Sequence, residues 1–174
     1  MLISKKLKQT SVANYILYMW HQEDIIRALH LDIANVEANV ISRYDCDAET
    51  KTEIKAWYEN LIAMMRNENK EQGGHLDFLN AEIESLNSYH NQLLQTPDQM
   101  QYNAQFFKIL PALKEFRTKN QSGAEVNDME LCLTAVYEVS LMKMAGKEVT
   151  AETENAVKSF AEFLNIISAK YAED

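Results

Sequence analysis

The chain has 174 residues, of which four are Gly and two are Pro, whereas average usage predicts about 20. Tight turns between strands and phosphate-cradling loops both need such residues, while 87 residues are Ala, Leu, Glu, Lys, Met, Gln or Arg and only 28 are Val, Ile or Thr, a balance that predicts an all-α fold with no sheet. The net charge of −9, with Lys5, Lys6 and Lys8 gathered in an acid-free start, describes an acidic body that repels phosphate backbones and argues against nucleic acid as a partner.

In chain order, residues 1 to 10 read as a flexible basic arm, solvated and partly frayed. A first helix is expected from Thr10 or Ser11 to His30 and a second from Asp32 to Tyr44, with Ile33, Val36, Val40, Ile41 and Tyr44 at helical spacing. A third begins at Asp47 as a cap, carries Ile54, Trp57, Tyr58, Leu61, Met64 and Met65 on one stripe, and stops before Gly73-Gly74. A fourth runs from His75 to Gln95. Thr96-Pro97 then reads as an N-cap followed by Pro in the first turn, opening a fifth helix to about Asn120 in which Pro111 predicts a kink.

The stretch from Thr118 to Asp128 is the clearest loop. Asn127 and Glu130 resemble a capping box and open a sixth helix that Gly146 ends. With only Glu130, Thr134 and Glu138 on its polar edge, that helix is expected to be the most buried. A last helix starts at Thr150. Six to seven helices of this length, joined by short links, predict an up-and-down helical bundle forming one domain over residues 1 to 174. The first helix is apolar nearly all round between Tyr15 and Leu29, which suits a central helix or a subunit interface.

The longest apolar run, Tyr15 to Trp20, is far short of a membrane span, and Gln22, Glu23 and Asp24 follow too soon for a signal peptide. A cytoplasmic protein with no membrane partner is the expectation. Cys46 and Cys132, 86 positions apart, read as reduced thiols.

The most suggestive chemistry lies on the first helix, where Trp20, Glu23, Asp24 and Arg27 share about a 100° arc. The spacing suits either a polar pocket, with an acid as base or ligand and Arg27 as anion anchor, or a partly buried ion pair that fixes the helix against its neighbours. His90, on the apolar stripe of the fourth helix, is the candidate to join it from a facing element. Metal is not expected. The Glu-x-x-His signature of di-iron bundles fails, because Tyr18, Arg27, Gln72 and Asn87 stand three before His21, His30, His75 and His90. Phosphate-loop, dinucleotide and nucleophile-elbow motifs are also missing from the sequence, so no catalytic residue and no cofactor is assigned.

The segment TSVANYILYMWHQEDIIRALHLD, with AVYEVSLMKMAGKEVTAETENAVKSFAEFL near the end, resembles a domain-of-unknown-function family of all-helical cytoplasmic proteins, mostly from Bacteroidetes and their relatives. The resemblance covers nearly the whole chain, including the lysine-bearing start and the acidic pair with Arg after YILYMW. It implies one helical domain in a bacterial cytoplasm and carries no active residues onto Trp20, Glu23, Asp24 or Arg27. Two functional expectations follow. The first is a non-enzymatic interaction or scaffold protein acting as a homo-oligomer through an exposed apolar helix face; the second is a small-molecule-binding or hydrolytic bundle with its pocket around Trp20, Glu23, Asp24 and Arg27.

Overall fold

The computed structural model describes residues 2–120, 123 and 126–173. Among these are eight α-helices and no strand: α1 (Leu2–Thr10), α2 (Val12–Ala28), α3 (Ile33–Asn39), α4 (Ala48–Asn67), α5 (Asp77–Gln95), α6 (Met100–Lys119), α7 (Asp128–Met144) and α8 (Ala151–Glu173). Short 3-10 turns cover Ile41–Arg43 and Pro97–Gln99. Eight rather than six or seven helices are found because the lysine-bearing start is itself helical. Residues 2 to 10 form a helix packed on the body. Ser4 is buried, Leu7 packs on the core and Lys8 pairs with Glu82 beneath it, which ties α1 to the body.

Helix starts follow their side-chain caps. Ser11, Asp32, Asp47 and Asn127 accept hydrogen bonds from the backbone N–H groups of Asn14, Ala34, Thr50 and Glu130, each satisfying a donor that the first turn leaves open. A further open donor of α2, the N–H of Ala13, reaches the buried Ser168 hydroxyl of α8 at 3.2 Å. Thr96 is the N-cap residue and Pro97 lies in the first turn as expected, but of a 3-10 turn that precedes α6, and the Thr96 hydroxyl bonds back to the Gln92 carbonyl instead of capping. α6 continues through Pro111, which sits on its exposed side. Part of the expected loop at 118–128 lies outside the described residues, and Thr118 and Lys119 belong to α6.

Helix ends depend on left-handed residues. α2 and α4 close with paired bonds of the Schellman type, Leu31 N–H to Ile26 and His30 N–H to Arg27 in one, Lys70 N–H to Met65 and Asn69 N–H to Arg66 in the other. The residues in the left-handed region are His30 (φ 60) and Asn69 (φ 56), with Leu31 (φ 55) following. α4 therefore stops well before Gly73, because Asn69 already supplies the turn. α7 ends in the same way on Gly146, as the sequence suggests.

α2 occupies the centre, against α1, α5, α7 and α8. Nine of its residues are buried, against six in α7, so α2 and not the sixth predicted helix is the most deeply set. Having neighbours on several sides accounts for its apolar circumference within one chain. Its link to α4 includes a buried bond from the Tyr58 hydroxyl to Gln22 Oε1 at 2.6 Å. Tyr58→Phe leaves the Gln22 amide without this partner and is expected to cost about 1–3 kcal/mol in denaturant unfolding, a loss that Gln22→Leu in the same chain partly restores.

Candidate functional site

Glu23 lies within α2 with no solvent exposure, and a carboxylate in such a position is costly unless it is bonded. Its Oε1 accepts the backbone N–H of Leu76 at 2.9 Å, and its Oε2 stands 2.6 Å from His75 Nδ1. The Leu76 N–H belongs to the residue that caps α5. The His75 ring stacks on Trp20, centroids 4.2 Å apart at 15°, and Trp20 in turn meets Tyr137 of α7 edge-on. The Tyr137 hydroxyl donates to Asp24 Oδ2 at 2.5 Å. Burial first, then the bond to Asp24, pushes that hydroxyl well above its ordinary pKa.

Arg27 completes the constellation. Its terminal nitrogens donate to Asp24 Oδ1 at 2.9 Å and to the Gly74 carbonyl, and its Nε to the Lys70 carbonyl at 3.1 Å. Trp20, Glu23, Asp24 and Arg27 thus do converge, and of the two carboxylates that spacing offers to Arg27 only one is taken. Arg27 takes Asp24, three residues earlier, while Glu23 serves the α4–α5 connector. Glu23 and Arg27 hold that connector against α2, while Asp24 fixes Arg27 and accepts from Tyr137 of α7.

His90 does not join them. It stands fifteen positions after His75, roughly 20 Å along α5, with Nδ1 2.5 Å from the Tyr102 hydroxyl and its ring enclosed by Tyr102, Phe106 and Phe163. Burial lowers its pKa to about 4. Burial likewise pushes the Cys132 thiol up, far from a reactive thiolate.

Beside these contacts, where α2 and α4 end, Arg27, His30, Leu31, Arg66, Glu71 and Gln72 line an open cavity of about 420 Å³. A second hollow of about 330 Å³ shares Leu31 and Arg66 and continues along Asp32, Ile33, Glu59, Ile62 and Ala63. The Arg66 guanidinium donates one bond, to the Leu31 carbonyl at 3.0 Å. Among the described residues no cluster of three or more His, Cys, Asp or Glu could hold a metal ion. His75, Tyr137, His30 and Arg66 escape sequence reasoning. Arg66 reads there only as a complement to the dipole of its helix, and the partners of His75 and Tyr137 are 52 and 113 positions away.

Fold and site define the class: an all-helical protein in which a central helix uses a glutamate and an arginine to clamp one connector, leaving a charged cavity at its end. The chain belongs to the family described as Domain of unknown function (DUF4924), whose family model matches residues 1–174. No curated protein and no solved structure matches it. Among the described residues no helix is long and apolar enough to cross a membrane.

The His90 environment makes a prediction for acid stability. Above about pH 6.5 the ring is neutral folded or unfolded; between pH 6.5 and 4 only the unfolded chain takes the proton, so acidification destabilises the fold, by about 3 kcal/mol across the window. Urea titrations at pH 7 and pH 4 should show that His90→Gln loses less stability over this range than the native chain.

Proposed function

We propose that this protein binds a small molecule, without catalysis, in the cavity at the ends of α2 and α4, on an up-and-down helical bundle working in a bacterial cytoplasm. One observation carries the reading: a charged cavity of about 420 Å³ adjoins a hollow of about 330 Å³ with an apolar side, and the two share Leu31 and Arg66. Binding sites for small ligands have volumes of roughly 300–1,000 Å³ and combine apolar walls with a few fixed polar groups. Here Arg27 is fixed by Asp24 and two carbonyls, and Arg66 by one. The pocket expected around Trp20, Glu23, Asp24 and Arg27 is moved one turn onward by this reading. Those side chains form its supporting wall, and only Arg27 lines the cavity.

His30 supports the same location. A side chain other than Gly or Asn in the left-handed region costs on the order of 1 kcal/mol, and the exposed His30 imidazole stands at the cavity rim. His30→Gly should therefore raise the melting temperature by about 2–4 °C while weakening any ligand held there. A screen of neutral, cationic and anionic fragments by amide chemical shifts is expected to perturb Arg27, His30, Arg66 and Gln72 together. Hits that gather elsewhere, or none at all, overturn the assignment.

Self-association is the second reading, favoured by a specific feature. Leu17, Tyr18, His21, Val136, Tyr137, Ser140 and Met144 border a largely apolar groove of about 320 Å³ between α2 and α7, and Met144 is 62% exposed. A second copy of the chain is the occupant proposed. Light scattering from micromolar to millimolar concentration should then give a rising mass that Met144→Glu abolishes, whereas a constant monomer mass removes the reading.

A further inference from the structure

We propose that the ligand of this cavity is a small zwitterion of the α-amino-acid type, with its carboxylate on Arg66, its ammonium on Glu71 and an apolar side chain in the adjoining hollow. The inference rests on the ligand-binding reading above and names the chemical class. Arg27, the first charge on the cavity, is balanced by Asp24 at 2.9 Å and is 16% exposed. Two opposite charges then remain. Arg66 has no carboxylate within ion-pair distance among the described residues, and Glu71 has no cation. They line one cavity without pairing with each other.

Charge count selects the ligand. A simple anion would gain Arg66 but meet Glu71 together with the negative ends of two helices; a simple cation would gain Glu71 but meet the Arg66 guanidinium. A molecule carrying both charges satisfies each group and leaves the cavity neutral. Guanidinium suits the carboxylate end, because its planar fork donates two parallel bonds. The Leu31 carbonyl takes a single N–H of Arg66, so most of the five donors of that group remain for the ligand. Beyond Arg66 the hollow is lined by Ile33, Ile62 and Ala63 together with Asp32, whose carboxylate caps α3, and Glu59; its apolar side suits a branched or linear aliphatic side chain and gives glycine nothing to fill it.

Calorimetric titration of the full chain with L-leucine, glycine, N-acetyl-L-leucine and L-leucinamide tests the class. L-leucine is expected to bind, with each of the other three at least about tenfold weaker, since each lacks one charged contact or the apolar one. Arg66→Gln should lose the distinction between L-leucine and its amide, and Glu71→Gln the distinction between L-leucine and its N-acetyl form. Arg66 is exposed and Glu71 half-buried, and unchanged melting curves separate lost binding from lost folding. Equal binding of L-leucine and N-acetyl-L-leucine to the native chain overturns the zwitterion. Fragments that perturb Arg27, His30 and Arg66 in a chain that ignores all four probes leave the cavity as a binding site and remove this ligand class, whereas silence from fragments and probes together removes both.

Discussion

A carboxylate buried in the middle of the central helix constrains everything around it. Glu23 has no solvent exposure, and its oxygens are satisfied by the Leu76 N–H and by His75, both from the connector between α4 and α5. Removing one partner of a buried charged group typically costs 3–5 kcal/mol, so the connector cannot leave α2 without a penalty on the scale of the whole fold's stability. The same contact starts α5. Leu76 has no side-chain cap, and two acids outside α5 take donors at its start, Glu23 the N–H of Leu76 and Glu68 that of Asp77.

Arginine is the second device of the same kind. Arg27 holds the carbonyls of Lys70 and Gly74, Arg117 holds those of Gly123 and Val126 with Asp128 beside them, and Arg66 holds that of Leu31. Each of these carbonyls lies in a segment between helices, where no intrahelical N–H reaches it. A flat group with several donors binds two or three such oxygens at once, which the single ammonium of Lys does with less geometric definition. A chain with four glycines and two prolines has little turn chemistry with which to fix its connectors, and side chains sent from neighbouring helices do that work instead.

These devices also explain what sequence reasoning could reach. The caps at Asp47 and Asn127, and the helix starts at Ser11 and Asp32, were legible because cap and helix are within three residues of each other. The clustering of Trp20, Glu23, Asp24 and Arg27 was legible because one helix carries all four. Their partners were not: Glu23 meets a histidine 52 positions on and Asp24 a tyrosine 113 positions on, distances at which periodicity says nothing. His90 was correctly read as facing the core, but a stripe does not say which end of a helix meets which neighbour. α1 was missed for a related reason, since three lysines in ten residues look solvated until Glu82 and the buried Ser4 are seen beneath them.

The placement of the cavity follows from how two helices stop. α2 and α4 both end in Schellman turns, and each puts an arginine in its last turn, where a cation offsets the helix dipole. Offsetting the dipole requires only charge, and a lysine reaching into solvent would serve. Arg27 is instead immobilised by three acceptors and Arg66 by one, and both border the same hollow. At the turn between them His30 occupies a backbone conformation in which Gly would be less strained. Local strain and fixed cations thus coincide at one place, where two helices stop and their connectors are held.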